Sequence, residues 1–204
     1  MARIETEEEL RRIYINPKER AFKKQLDRLD KHCRRFIELS PFLVLSSYGK
    51  NGLCDASPRG EGPGFAHILD EKTLLLPDRP GNNRLDSLSN ILINPSVGLI
   101  FLIPGVEEVL RVNGRAEIRN DPELLERFRV RAKLPATVLR IEVEEAYLHC
   151  AKAIMRSALW KPEAQIDRSL LPTMGEMLRD HRGDLGEPME SQEEMRERYL
   201  RALY

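Results

Sequence analysis

Residues 97–118 read VGLIFLIPGVEEVLRVNGRAEI. Val97 to Ile103 is short and apolar on both faces, as a central strand is, and it ends in a Pro104-Gly105 turn. Beyond the turn, Leu110, Val112, Ala116 and Ile118 share one face while Arg111, Asn113, Arg115 and Glu117 share the other. That is the period-two signature of a half-buried strand. Glu108 interrupts the alternation near the turn, where a bulge is expected. So short a connection forces antiparallel pairing, because a parallel crossover takes a dozen or more residues.

The same grammar extends in both directions. Upstream, Phe42 to Ser47 runs into Tyr48-Gly49-Lys50-Asn51-Gly52, a hairpin turn with Asn-Gly at its tip, and Leu53 to Ser57 reads as the returning strand. Phe65 to Leu69 and Thr73 to Leu76 flank Asp70-Glu71-Lys72 as a second hairpin. Downstream, Asp121-Pro122-Glu123 opens a short helix. Leu139, Ile141 and Val143 alternate with Arg140, Glu142 and Glu144 in one more strand. Helical spacing appears at the ends. Phe22, Leu26, Leu29, Cys33, Phe36 and Ile37 predict one helix stopped by Ser40-Pro41, and the chain turns helical again past Tyr147. The predicted class is mainly β with peripheral helices (α+β), six or seven antiparallel strands forming a small closed or split barrel. It reads as one structural domain: an amino-terminal helical segment (1–40) packed on the barrel (41–160), then a polar helical tail (161–204).

Charge excludes some partners. Lysine plus arginine and aspartate plus glutamate each number 33 of 204 residues, and no long basic run occurs, so neither nucleic acid nor an anionic membrane is expected. The widely spaced Cys33, Cys54 and Cys150, with a charged amino terminus lacking an apolar segment, predict a cytoplasmic protein without a secretory signal. The four histidines lack metal-ligand spacing, so no metal is expected, and no GxSxG, P-loop or HExxH motif is present.

Four constellations carry candidate chemistry. The first is Leu76-Pro77-Asp78-Arg79-Pro80-Gly81-Asn82-Asn83-Arg84-Leu85-Asp86, where Asn83 is the expected N-cap of a helix through Leu85, Leu88, Ile91 and Leu92. Free N–H groups, a positive dipole end and the guanidinium forks of Arg79 and Arg84 suit a phosphate; the same residues also suit a capped surface helix. The second is Ser57-Pro58-Arg59-Gly60-Glu61-Gly62-Pro63-Gly64, an irregular glycine-rich loop or wide turn in which Arg59 offers a cationic donor. The third is His149, Lys152, Arg156 and Trp160, spaced as one helical stripe suited to an anionic aromatic ligand, a partner subunit or plain solvent. The fourth is Arg111 with Asn113 and Arg115, placed to touch a ligand or to pair across strands with Glu142 or Glu144.

Taken together, Ser57-Pro58-Arg59-Gly60 with Gly64-Phe65, the Leu75 to Leu92 block, residues 101–116, and His149 to Lys152 with Arg156-Ser157 resemble the flavin-binding split barrels related to pyridoxamine 5′-phosphate oxidase. The likeness runs from about Leu39 to Trp160. The tail lacks the closing Arg-Leu-x-Pro of the oxidase, so the resemblance is to a subgroup distinct from the oxidase itself. It implies a split barrel that forms a homodimer and holds FMN at the subunit interface. Pro77 and Asp78 would line the ring, Asn83 and Arg84 would grip the phosphate with Arg79 or Arg59 balancing charge, and Ser57, Asn82, Arg111, Lys152, Arg156 and Trp160 complete the expected cofactor set. The implied activity is an FMN-dependent oxidoreductase acting on an unidentified small molecule, with no catalytic residue assigned. The alternatives are a non-catalytic flavin protein for storage or sensing, or a related barrel using haem or the deazaflavin F420.

Overall fold

The computed structural model describes residues 3–50, 52–183, 186 and 189–203. Among them, seven strands form one antiparallel sheet: β1 (Phe42–Tyr48), β2 (Cys54–Gly60), β3 (His67–Ile68), β4 (Thr73–Asp78), β5 (Ser96–Leu102), β6 (Val109–Arg119) and β7 (Thr137–His149). The order across the sheet is β2-β1-β5-β6-β7-β4-β3. Helices α1 (Glu7–Ile13), α2 (Arg20–Lys23) and α3 (Lys31–Leu39) precede it, α4 (Asp86–Ile93) and α5 (Pro122–Glu126) interrupt it, and α6 (Lys152–Ser157), α7 (Met174–Arg182) and α8 (Gln192–Ala202) follow. This is the α+β antiparallel fold that the alternation predicts.

The inward faces interlock. Leu43 and Leu45 of β1, Leu99 and Phe101 of β5, Leu110 and Val112 of β6 and Ile141 of β7 are all sealed from solvent and share one cluster. The α3 residues Cys33, Phe36 and Ile37 pack onto it. Burial, reinforced by Asp30, pushes the Cys33 thiol up to about 12, so that cysteine behaves as a small hydrophobe. Strand β4 is buried on both faces, since Leu75 meets Phe128 and Val138 on the side away from the main core.

Three local expectations change. The single helix from Phe22 to Ile37 is two helices. β4 spans only part of β7, and Leu26 takes the backbone groups left free, exchanging bonds of 3.0 and 2.7 Å with Ala146. Asp30 then starts α3 afresh, accepting from the His32 and Cys33 amides. Second, Ser57 to Gly60 belong to β2 rather than to a loop; Pro58 is tolerated because β2 is an edge strand. Third, the bulge lies not at Glu108 but between Asn113 and Gly114, where Glu144 is the extra residue on β7. Gly114 is required there: a β-carbon would stand 3.0 Å from the Glu142 carbonyl carbon and closer still to its oxygen. Of the expected Asn-Gly hairpin tip, Asn51 lies outside the described residues, while Gly52 takes φ +74° and β2 returns in register with β1. No helix among the described residues is long and apolar enough to cross a membrane.

Candidate functional site

Strands β2 and β4 lie far apart in the sheet order, yet their carboxyl ends meet. Side chains, not backbone bonds, close this seam. Arg59 pairs with Asp78, and just beyond the strands Arg79 grips Glu61 through bonds of 2.7 and 3.1 Å. The Arg79 fork also donates to the Phe128 carbonyl at 2.8 Å. All four charged side chains are at most 19% exposed, so the pairs are desolvated as well as bonded.

A cleft of about 500 Å³ opens beside the seam, lined by residues 55–59 and 78–88 with Ala136. Three arginines and three aspartates line it, so its charge balances. Asp55 is steadied by Asn90, which donates to it at 2.6 Å and to the Ser47 hydroxyl at 3.0 Å. Arg59 keeps one buried donor, Nε, without an acceptor among the described residues. An orphaned guanidinium N–H inside a cleft is a costly feature that a bound acceptor removes.

The far wall is the approach to α4. Asn83 does not cap this helix. Asn82 accepts from the Arg84 amide at 3.0 Å, making a tight turn, and both Asn83 and Leu85 sit at positive φ, +57° and +59°. The helix therefore begins at Asp86, two residues later than the sequence predicts for an Asn83 cap. Its cap residue, Leu85, has no side-chain acceptor, which leaves the first-turn N–H groups without a side-chain cap. A leucine in the left-handed region is strained, and such strain persists where the surroundings impose it. Arg84 reaches out from this turn, 71% exposed, its Nε bonded to Asp86 at 2.8 Å.

The structure thus brings together Ser57, Arg59, Asp78, Arg79, Asn82, Asn83 and Arg84. Pro77 is buried within β4 opposite Val138, behind the cleft wall. The remaining expected residues lie elsewhere on the chain. Arg111 stands on the outward face of β6, Lys152 and Arg156 are exposed on α6, and the Trp160 indole donates to the Val106 carbonyl at 2.8 Å. They do not form one helical stripe: His149 ends β7, α6 stops at Ser157, and Ala158 turns the chain at φ +50°. Cross-strand pairing meets the expectation at Arg115, which lies opposite Glu142, and departs from it elsewhere. The bulge sets Arg111 opposite Tyr147 and Asn113 opposite Glu145, leaving Glu142 to Arg115. Sequence reasoning passed over Glu61, Asp55, Ser87 and Ala136. Glu61 stood inside the quoted glycine-rich segment, and only the fold reveals its partner.

His67 of β3 stacks on Phe128 with ring centroids 4.1 Å apart. Burial first, then repulsion from Arg127, lowers its pKa from 6.5 against the pull of Glu61. A histidine held neutral by the fold contributes stability above its ordinary value and loses it as pH falls toward its depressed one. The melting temperature is therefore expected to drop on acidification below about pH 6.5, and His67→Phe, which keeps the stack, is expected to drop less. Equal losses in calorimetry would remove His67 from the acid response.

Residues 29–150 match the family model described as pyridoxamine 5′-phosphate oxidase. No curated protein matches the chain. Among solved structures, HupZ from Group A Streptococcus is 19% identical over 58% of this chain and 92% of its own, with a TM-score of 0.48. A candidate pyridoxamine 5′-phosphate oxidase from Lactobacillus delbrueckii is 18% identical over 61% and 98%, also at 0.48. An FMN-binding protein from Syntrophomonas wolfei is 11% identical over 57% and 88%, at 0.44. The matched span begins just before α3 and takes in every strand of the sheet, together with both walls of the cleft. By that match, over more than half its length, the chain belongs to the pyridoxamine 5′-phosphate oxidase family.

Proposed function

We propose that the cleft binds FMN and that the protein is an FMN-dependent oxidoreductase of a small molecule, working as a homodimer. The observation that carries this reading is the buried, acceptor-less Nε of Arg59 in a cleft bounded by an uncapped helix start. Membership of the family supports the same cofactor class. The residues fit the group in shape and donor chemistry. Arg84, Asn82 and the first-turn amides of α4 would hold the phosphate, Arg59 and Ser57 would donate along the ring, and Asp78 would flank it. Bound there, the flavin supplies two-electron transfer. Arg79 would serve mainly to hold the wall, its Nε and one Nη being engaged by Glu61 and the Phe128 carbonyl.

The dimer reading is supported by the outward face of the sheet. Phe42 and Val44 of β1 lie in register with Leu102 and Ile100 of β5, and Phe42 and Ile100 are 38% and 39% exposed. An uncovered apolar row in mid-sheet is the surface a second copy would bury. Lys152, Arg156 and Trp160 would reach the flavin from that second copy.

Fluorescence titration of the flavin-free protein tests the cleft. Arg84→Ala removes a charge-assisted contact and is expected to weaken FMN by about 1.5–3 kcal/mol, roughly ten- to a hundred-fold, while leaving riboflavin unchanged. Equal losses for both ligands, or none, would move the phosphate elsewhere. One observation favours a second reading, a flavin protein without turnover: every arginine of the cleft already has a carboxylate partner. Bleaching of bound flavin by a reduced nicotinamide or a substrate excludes that reading; tight binding without bleaching across a broad panel selects it.

A further inference from the structure

Outside the cleft, Lys24 and Arg111 stand together without an acidic partner among the described residues. On the outward face of the sheet, the ring of Tyr147 of β7 has two cations over it: Lys24, whose Nζ is 5.0 Å from the ring centroid, and Arg111 of β6, whose guanidinium carbon is 5.2 Å from it. Lys24 is tied down by a 2.9 Å bond to the Leu148 carbonyl. His149, two residues along the same face, brings its ring centroid to 6.4 Å from that of Tyr147. Its Nδ1 is buried and has no hydrogen-bond partner among the described residues.

The charges around this group do not balance. Arg59, Arg79, Arg84, Arg119, Arg129 and Arg198 each hold a carboxylate, whereas neither Lys24 nor Arg111 has one among the described residues. The carboxylate on the same face of β7, Glu145, is engaged by Gln25 and Asn113. Three elements, the segment after α2, β6 and β7, thus set two cations and an unsatisfied imidazole around one aromatic ring, with both cations close enough to His149 to act on it electrostatically. The aromatic ring holds both cations in place, so little side-chain freedom remains to be lost on binding. An oxyanion would accept from Lys24 and Arg111 and satisfy His149 once that ring carries its second proton.

We propose that Lys24, Arg111 and His149, organised around Tyr147, form a binding site for the phosphate or carboxylate head of a small anionic ligand. Beside the proposed flavin, this head would belong to the substrate. That placement rests on the dimer reading, but the anion site is complete within one chain. Protonation of His149 strengthens the site. Burial and the two cations lower its pKa when the site is free, so anion binding must raise it.

The test uses the full chain without flavin. Histidine resonances, assigned with His149→Gln, are followed against pH with and without excess inorganic phosphate, then acetate. The expected result is an upward move of the His149 midpoint with at least one of the two anions and none for His67. Calorimetric affinity for that anion should fall about tenfold or more in Arg111→Met and in Lys24→Met, both of which retain an unbranched stem. An anion moving His149 identifies the head group; if neither moves it, or the variants bind as the wild type does, the site is overturned. FMN titration of the same protein is read separately. Flavin binding without an anion response removes this site alone, and an anion response without flavin binding removes the cleft reading alone.

Discussion

Glu61→Gln is expected to lower the unfolding free energy by about 3 kcal/mol, because it strips the negative partner from a mostly buried arginine and leaves the charge uncompensated. The Arg79 fork would keep the Phe128 carbonyl and an amide in place of a carboxylate. The size of the effect follows from desolvation: an exposed pair of the same geometry would contribute about 1 kcal/mol or less. Glu61→Met combined with Arg79→Met removes both charges and is expected to recover much of the loss. Denaturant unfolding of the parent and the two variants measures both effects. A cost below about 1 kcal/mol for Glu61→Gln would mean that the pair is not what closes the seam. The same substitution makes the cleft wall more cationic, so under the proposed function FMN should bind more tightly to the less stable protein.

Gly114→Ala is the second large effect. The new methyl would collide with backbone, the Glu142 carbonyl, and backbone cannot rotate away as a long side chain can. Relief requires β6 and β7 to part at the bulge, at the centre of the most extensive strand pairing in the fold. Overpacking of this kind costs about 3 kcal/mol, which for a chain of this size is roughly 6–12 °C in melting temperature. The damage should reach the outward face as well, since Asn113 and Arg111 are held in register by that pairing. A melting temperature within about 2 °C of the parent would show that the bulge can relocate.

Much of the sheet was legible because strand alternation is a local signal. Leu110, Val112 and Ala116 announce an inward face, and the structure buries each of them. The bulge was legible only as an interruption, and Glu108 drew the attention that Gly114 deserved. A glycine's role there depends on the opposite strand, which a single segment does not display. The cleft was half legible. Ser57, Arg59, Asp78 and residues 82–84 stood in two motifs that the fold places on facing walls. Two outcomes needed the third dimension. The pairing of Arg79 with Glu61 and the Phe128 carbonyl is visible only in the fold, and the spacing of His149, Lys152, Arg156 and Trp160 implied a helix that Ala158 ends.

The margins of the sheet bear on how copies of this protein meet. β2 carries Pro58, which has no amide hydrogen to offer, and β3 at the other margin is two residues long. Neither border can template a continuous ladder with a neighbour. Assembly by strand addition, the route to fibrils and runaway polymers, is thereby closed to the native state. The homodimer proposed above would then meet broadside, through the outward side of the sheet where Phe42 and Ile100 stand partly exposed, a geometry that would satisfy itself after one pairing.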